Sequence, residues 1–424
     1  MPAFASHVQR MTARSASERG AGLESLRSTL GALSEEQLLE VVREPGLLSA
    51  LNQHLLPFSK NQPLTSLTML YFLPLTALNV LYTLMGRESS PDSPTLQLCN
   101  SAIFDSPCFS SLKDIAASGS ATLELKQNAW EAIKGVARME EGRLTEMLDS
   151  PGMVELLQAG IESEDHCIAA NATTTSRNLC FDESTATAMF DSPCFFSLKY
   201  IAASGSTQEL RREAFQAIVN MSCMEEGRRR EMFDYPGMLA LLQTGLESAD
   251  EGIAEEASAT IRNLSLNETT AAAVFDSPLF PLLMDIVASG GTTLELKREA
   301  WAAVVNLAYM EEGRMREFLD CPGMVALLQN GLESIDATIA ERVTATIGNL
   351  CCDLTTASAL LDGYPDLVQS LVDTFSTTGV CLKFICKLQL HSPPLLPSLF
   401  KLSCSFFKFT LFRPLLPRWM QSAR

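Results

Sequence analysis

The chain has 424 residues and a formal net charge of −18 at pH 7. The charge is uneven, because residues 376–424 hold seven Lys or Arg and no acid, which leaves 25 basic and 50 acidic side chains in residues 1–375. This acidic excess argues against a nucleic-acid partner, since phosphates favour basic surfaces, and it favours a basic protein or peptide partner.

The first hundred residues divide into two regions. Residues 1–20 are predicted to be disordered, and no secretory signal opens them. Residues 21–103 are predicted to be a degenerate helical region with a loop. The run REPGLLSALNQHLL at 43–56 echoes PGMVALLQNGL at 322–332, which indicates a degenerate first repeat.

The segment 64–85 holds no charge over 22 residues. It is long enough for a membrane span, and bilayer helices tolerate a proline such as Pro74. Two other interpretations remain open: a buried helical pair of a degenerate repeat, and translated non-coding sequence. Membrane association is therefore uncertain from the sequence.

Residues 104–375 repeat themselves. FDSPCF at 104 returns at 190 and, as FDSPLF, at 275, while MEEGR stands at 139, 224 and 310 and PGM at 151, 236 and 322. A second Phe-Asp or Leu-Asp pair falls midway between the FDSP copies, so the unit has about 43 residues in alternating A and B versions. This period is typical of a helical solenoid, in which each unit buries its apolar face against its neighbours.

Each unit is predicted to hold one short and two longer helices. The serine of each Asp-Ser-Pro turn is expected to cap the following helix, with proline at its first position: Ser106, Ser150, Ser192 and Ser277. Capping boxes are expected at Ser206 with Glu209 and at Thr292 with Glu295, and Ala121 departs from that pattern. The spacing of Ile339, Val343, Ile347 and Leu350 is helical, and Leu264, Leu307 and Leu350 are predicted to face inward.

Residues 376–424 break the repeat. They contain five prolines between 384 and 420 and show no helical period. We predict a non-repeat basic hydrophobic tail that is unstructured, a membrane-surface segment or a mistranslated intron, and we favour the last because the repeat ends abruptly at this place.

The twelve cysteines form no C-x-x-C pair and no cluster with histidine. Most lie in apolar helical runs, as Cys180, Cys223 and Cys351 do, and we interpret them as small buried hydrophobes in a reducing compartment. The expected location is the cytoplasm, or else the nucleus. We expect no metal and no cofactor.

The stretch 306–352 resembles an armadillo repeat, and the resemblance covers about 270 residues in register. It rests on the Asn-Leu that ends each third helix, a charged link ending in Arg, a Gly before the second helix, a Leu-Leu pair and an alanine-rich third helix: Asn306-Leu307, Arg314, Gly323, Leu327-Leu328, Ala340, Ala345 and Asn349-Leu350. The resemblance implies an all-α, right-handed superhelical solenoid. Its third helices would line a concave groove for extended peptides or partner proteins.

The groove asparagine of that family maps onto five positions spaced 42 or 43 residues apart: Asn178, Asn220, Asn263, Asn306 and Asn349. We refer to these five residues as the asparagine ladder. The first full unit has Gly135 there. An amide offers an acceptor and two donors, which suits a peptide backbone, although a hydrogen bond at a helix end is the alternative role. Seven residues earlier, on the same helix face, lies a predicted acidic row, with an ordinary solvated charged face as the alternative interpretation: Glu213, Glu256 and Glu299. Two units depart from this row, with Asn171 and Arg342 at that position.

Two further features bear on the type of protein. Importins of the alpha type carry Trp four residues before the asparagine, where this chain has Gln216, Ala259 and Ala302. Phe215 and Trp301 lie one residue further back, about 100° round the helix, and are predicted to be core. The glutamates of MEEGR suit a helix N-terminus, and its Arg is predicted to bridge to a neighbouring repeat.

The favoured function is a non-catalytic scaffold that binds an extended, basic peptide segment in the groove. An enzyme is disfavoured, because residues 104–375 contain one histidine, His166, and no phosphate-binding loop, metal spacing or nucleophile motif. A membrane-associated adaptor, an importin-like receptor and a regulator of small GTPases are the alternatives. The sequence does not predict the oligomeric state.

Overall fold

The computed structural model describes residues 9–12, 16–30, 33–43, 46–59, 94–139, 141–310 and 312–378. Helices and turns account for all regular structure in these ranges, so the predicted all-α class is confirmed there. The segment 64–85 and most of the predicted tail, residues 379–424, lie outside the described residues. The chain forms two compact units, Met1–Gly245 and Leu246–Arg424.

The first unit contains helices α1 to α14. Their bounds are α1 Ala16–Leu30, α2 Glu35–Val42, α3 Leu47–Ser59, α4 Pro94–Phe104, α5 Pro107–Ala117, α6 Leu123–Val136, α7 Glu141–Leu148, α8 Met153–Ile161, α9 His166–Leu179, α10 Glu183–Asp191, α11 Pro193–Ser204, α12 Gln208–Met221, α13 Glu226–Phe233 and α14 Met238–Leu246.

The second unit contains helices α15 to α23. Their bounds are α15 Glu251–Leu264, α16 Glu268–Phe275, α17 Leu279–Ala288, α18 Leu294–Leu307, α19 Glu312–Leu319, α20 Met324–Leu332, α21 Ala337–Leu350, α22 Leu354–Gly363 and α23 Pro365–Thr378.

In both compact units each repeat has one short and two longer helices, as predicted, and the repeats are counted here from the short helix. Helices of one kind pack against their counterparts in the next repeat: third helices α6, α9 and α12 in the first unit, and α15, α18 and α21 in the second. The apolar positions lie between these layers. Leu264, Leu307 and Leu350, each following a ladder asparagine, are fully buried as predicted.

The N-terminal prediction is partly wrong. Residues 16–20 begin α1 instead of belonging to a disordered tail, because the helix buries Leu23 and Leu26 completely. At the other end, residues 376–378, assigned to the tail, complete α23. Its Leu367 is buried against the repeats.

The described part of residues 21–103 shares two local features with the later repeats. Gly46 has a φ of +84°, like the glycines of the three PGM turns. Cys108 Sγ donates to Leu48 O at 3.1 Å, and Cys194 Sγ makes the same contact with Val154 O at 3.5 Å. The first pair lies 60 residues apart and the second 40, so the connection across residues 60–93 is 20 residues longer than in the later repeat.

The two kinds of proline turn differ. Ser106 and Ser192 cap their helices as predicted and accept from the backbone two residues on. Ser277 accepts the same bond from Leu279 N at 3.2 Å, but the N-cap of α17 is Pro278, one residue later than predicted. The prediction for Ser150 is wrong, because Met153 N donates to Ser150 O at 3.0 Å across a turn and the helix begins only after Gly152. Gly152 has a φ of +78°, as a type II turn with proline before glycine requires.

The predicted capping boxes are displaced by one residue. Thr122 and Thr207 are the caps, and they accept from Leu125 N at 3.4 Å and Leu210 N at 3.1 Å. The cap in the next A unit is Thr293, which makes no side-chain bond. Ala121 therefore costs the first copy nothing.

The MEEGR and FDSP motifs meet in space. Arg143 pairs with Asp105, and its guanidinium lies 5.3 Å from the ring centroid of Phe104. The same Arg–Phe–Asp contact recurs in both compact units. The guanidinium of Arg228 lies 4.9 Å from the ring centroid of Phe190, and that of Arg314 lies 5.1 Å from the ring centroid of Phe275. Arg228 pairs with Asp191 and Arg314 with Asp276. The prediction that this arginine bridges repeats is confirmed.

Candidate functional site

The candidate site is the third-helix face, defined here by the exposed or partly exposed residues of α6, α9 and α12 in the first unit and of α15, α18 and α21 in the second. Three ladder asparagines stand on it and are partly exposed: Asn220, Asn306 and Asn349. Each lies near the C-terminal end of its helix, and the apolar face of that helix packs into the core.

Each of these amides is tied to the preceding third helix. The Nδ2 of Asn220 donates to Arg177 O at 3.0 Å, that of Asn306 to Arg262 O at 2.7 Å, and that of Asn349 to Val305 O at 2.9 Å. The acceptor stands 43 or 44 residues earlier in every case. One N–H thus belongs to the scaffold and fixes the amide plane. The amide group has a second N–H and a carbonyl to offer a ligand.

The other two predicted asparagines are placed differently. Asn178 and Asn263 are only 5% and 6% exposed. Arg177 Nη2 donates to Asn178 Oδ1 at 3.4 Å, and Arg262 Nε donates to Asn263 Oδ1 at 3.1 Å. A guanidinium therefore covers each buried amide. The exposed members of the ladder follow Val219, Val305 and Gly348, which have no such group.

Two glutamates of the predicted acidic row are paired within the chain. Arg177 Nη1 lies 2.9 Å from Glu213 Oε2, and Thr174 Oγ1 donates to the same oxygen at 3.1 Å. Glu299 pairs with Arg262 and lies 3.6 Å from Arg342. Glu256, on α15, is partly exposed. The third-helix face is thus a mixed-charge surface, and Glu213 and Glu299 do not stand on it as bare anions.

Arg177 and Arg262 are site residues that the sequence reasoning did not name. Their signal was available, since Arg-Asn-Leu occurs at 177–179 and again 85 residues later at 262–264. Each arginine uses its carbonyl to receive the next asparagine and its side chain to hold the next glutamate. A single residue thereby joins two repeats twice.

The first full repeat makes a different contact at the asparagine position. Gly135 takes the asparagine position, and the neighbouring Lys134 Nζ donates to Asn171 Oδ1 at 2.8 Å. Burial lowers the pKa of the Lys134 ammonium. Asn171, at the glutamate position of its helix, thus also contributes to the contact between repeats.

No family model matches the chain, and no curated protein does. Among solved structures, a designed armadillo repeat protein superposes with a TM-score of 0.51 at 16% identity, over 56% of this chain and 98% of its own. Another, in complex with the peptide (KR)4, gives 0.52 at 16% identity over 56% and 98%. The fold is armadillo-like. An engineered protein covers more, with a TM-score of 0.64 at 17% identity over 92% of this chain and 99% of its own.

Within this armadillo-like fold, the positions four residues before the asparagines carry small or polar groups. Ala302 is partly exposed, Ala259 is 6% exposed, and Gln216 Oε1 accepts from Arg177 Nη1 at 2.8 Å. Trp301 and Phe215 are 2% and 0% exposed, which confirms that they are core. No aromatic slot for a lysine stem stands at these places.

The armadillo-like units carry few groups suited to metal binding or catalysis among the residues that the structure describes. Among the described side chains, no group of three or more His, Cys, Asp or Glu could hold a metal ion. His166 Nε2 lies 3.3 Å from Thr207 Oγ1 on the surface. In the described ranges no single helix is long and apolar enough to cross a bilayer. The pair α16 and α17 meets that test together but is bent by 77°.

Most of the described thiols are buried, as predicted. Cys180 and Cys351 are buried, and burial raises the pKa of Cys351 to about 12. Cys223 is exposed, contrary to prediction, because it follows the end of α12 where the chain turns outward. Its Sγ lies 3.7 Å from Val219 O.

Proposed function

We propose that this protein is a non-catalytic scaffold that binds an extended peptide segment of a partner protein along its third-helix faces. We propose that it is located in the cytoplasm or the nucleus. The observation that carries the proposal is the identical anchoring of Asn220, Asn306 and Asn349. Amides that are each held by the same contact are a means of reading a polypeptide backbone whatever its sequence.

The spacing of the rungs suits an extended ligand. Third helices that pack side by side lie about 10 Å apart, one helix diameter. An extended chain advances about 3.3 Å per residue, so one amide would meet the ligand every three residues or so. Asn306 and Asn349, on adjacent helices of the second unit, form one such pair.

The proposal includes a preference for basic segments, which rests on the acidic excess of residues 1–375. The internal pairing of Glu213 and Glu299 limits how much these two carboxylates contribute, because a ligand cation must compete with Arg177 or Arg262. Exposed ion pairs are worth about 0–1 kcal/mol each, so affinity must come from several rungs together. Two structural neighbours support the proposal. One is a designed armadillo repeat protein in complex with the peptide (KR)4, and the other is a set of armadillo repeat proteins designed for modular peptide recognition.

The test measures binding of a fluorescein-labelled Lys-Arg octapeptide to the full chain by fluorescence anisotropy. The triple variant N220A/N306A/N349A is expected to bind about 10-fold or more weakly, since each lost hydrogen bond contributes about 0.5–1.5 kcal/mol. An octapeptide of glutamate is expected to bind far less than the Lys-Arg probe. Equal affinity of the wild type and the triple variant for the octapeptide would show that the asparagines are not part of the peptide-binding site.

A matched control separates binding from folding. Lys113 Nζ also donates between repeats, to Pro151 O at 3.0 Å, but from the second helix α5 and outside the third-helix face. Lys113→Ala removes an inter-repeat hydrogen bond as the asparagine changes do. It is expected to lower the melting temperature slightly and to leave octapeptide binding unchanged.

A further inference from the structure

A row of exposed apolar side chains runs beside the asparagine ladder. Five repeats place an apolar residue three positions after the asparagine, and we call these residues the apolar row: Phe181, Cys223, Leu266, Tyr309 and Cys352. Phe181, Leu266 and Tyr309 are 64%, 57% and 59% exposed, and Cys223 is exposed as well. Exposed apolar residues that are scattered singly are ordinary, but their recurrence at one position of successive repeats indicates an interaction surface.

The backbone places the apolar row on the same side as the ladder. In all five repeats the N–H of the row residue donates to the carbonyl of the asparagine three residues earlier, at 3.0–3.4 Å, as Tyr309 N does to Asn306 O at 3.1 Å. Side chains three residues apart in such a 3₁₀ turn eclipse one another. Each member of the row therefore stands one turn beyond its asparagine and faces the same way.

The row and the ladder share one spacing. Helices α9 and α12 pack together in the first compact unit, and α15 and α18 in the second, so Phe181 neighbours Cys223 and Leu266 neighbours Tyr309. Packed helices lie about 10 Å apart, so an extended chain meets one member of the row about every three residues. The two rungs whose amides are covered by a guanidinium carry the large side chains of Phe181 and Leu266.

Charged groups of both signs lie near the apolar row. Three exposed glutamates follow a row residue by two positions: Glu183, Glu225 and Glu268. Arg177 and Arg262 stand one residue before an asparagine, and each is paired with a glutamate of the next third helix. The first full repeat is basic at the corresponding places, with Lys134 and Arg138. Charge thus varies along the row, whereas the apolar character is common to its five members.

We propose that the apolar row is a second subsite for the ligand, and that it takes aliphatic or aromatic side chains placed at every third position of an extended peptide. The inference rests on the proposed peptide-binding function and specifies its ligand class. The ladder amides hold the peptide backbone, and the row removes apolar side chains of the peptide from water. Because each contact buries little area, several contacts in register are needed.

Three labelled nonapeptides of equal charge test the spacing in anisotropy titrations with the full chain: (Lys-Ser-Leu)₃, (Lys-Ser-Asn)₃ and Lys₃Ser₃Leu₃. The spaced-leucine probe is expected to bind about 10-fold or more tightly than the asparagine probe, since affinity rises with the apolar area removed from water. The clustered-leucine probe has the same composition as the spaced one but reaches fewer members of the row. It is therefore expected to bind about 3-fold or more weakly than the spaced probe.

The triple variant F181S/L266S/Y309S is expected to bind the spaced-leucine and asparagine probes equally and to keep the wild-type affinity for the Lys-Arg octapeptide. Its melting temperature is expected to stay near that of the wild type, because the three side chains are exposed. Tyr200→Ser is the matched control. Tyr200 is also 64% exposed but lies on the second helix α11, outside the row, so this variant is expected to keep the leucine advantage.

A second measurement needs no variant. Cys223 belongs to the row, whereas Cys167, also exposed, lies near the start of α9, at the opposite end of that helix from Phe181. Saturating spaced-leucine probe is expected to slow alkylation of Cys223 by iodoacetamide about 5-fold or more, because alkylation needs an accessible thiol. Alkylation of Cys167 is expected to be unchanged, as followed by peptide mass spectrometry.

Equal binding of the spaced-leucine and asparagine probes overturns the apolar subsite, while the proposed function stands on the octapeptide and the ladder variant. A leucine advantage that persists in the triple variant, or equal protection of the two thiols, also overturns the subsite, because the apolar side chains then bind elsewhere. Binding of none of these probes, nor of the Lys-Arg octapeptide, ends the proposed function and this inference together.

Discussion

Gly160 lies directly against the indole of Trp130: a Cβ added to Gly160 would stand 2.3 Å from Trp130 Cζ2. Gly331 has the same relationship with Trp301, at 3.2 Å, and would also meet Val343 at 2.5 Å. In both units a third-helix tryptophan fills the space that a second-helix glycine leaves. The absence of a side chain at this position is thus part of the core.

Gly160→Ala is expected to destabilise the protein by about 1–3 kcal/mol, as overpacking of a well-filled core does. The matched control is Gly142→Ala, near the start of α7, where an added Cβ meets nothing within 4 Å. That change is expected to be neutral or stabilising by up to about 1 kcal/mol, since alanine favours helix. Melting of both variants is followed by circular dichroism, and equal effects would contradict the packing argument.

Leu307→Ala is expected to cost about 2–5 kcal/mol, because Leu307 is fully buried behind the asparagine ladder. Leu294 opens the same helix, α18, and is 48% exposed, so Leu294→Ala serves as the control. Urea unfolding of both variants measures the difference. A loss under about 0.5 kcal/mol at Leu307 would place that residue in the range of ordinary surface changes.

A double-mutant cycle can measure the Arg–Phe–Asp contact. Arg314→Gln and Asp276→Asn, singly and together, isolate the pairing between the two repeats. The coupling is expected near 1 kcal/mol or below, since partly exposed ion pairs give about 0–1 kcal/mol. Phe275→Leu in addition tests the cation–π part, for which about 0.5–1 kcal/mol is expected at an exposed site. No coupling in urea midpoints would make the recurring contact incidental to stability.

The pH dependence of stability should reveal Asp336. A hydrogen bond from Arg298 lowers the pKa of Asp336 below its usual 3.8. Because the folded-state pKa is depressed, this contribution is fully present above 3.8 and is lost as the pH falls through the folded value. Asp336→Asn keeps the helix cap and removes the charge. The wild type is expected to melt higher than this variant at pH 7, with a difference that shrinks below pH 4. A difference independent of pH would contradict the assignment.

The period of about 43 residues and the helical spacing predicted the helix order, the third-helix face and the burial of Leu350. They could not predict which ladder asparagines are exposed. Arg177 covers Asn178, yet it also reaches Glu213 on the next repeat, and such long side-chain contacts depend on stacking geometry. The prediction that Ser150 caps a helix is wrong for a local reason, because Gly152 adopts a positive φ and the helix begins only after it.

The Arg–Phe–Asp contact joins an A unit to the following B unit, and the next junction lacks it. The A helices carry threonine where the B helices carry this arginine, and each threonine bonds to its own helix cap, as Thr185 does to Asp182 and Thr270 to Asn267. The two kinds of junction between repeats therefore use different contacts, and the smallest segment that holds one of each is a pair of units. The array is thus expected to have grown by tandem duplication in steps of 85 or 86 residues, the interval at which its motifs recur.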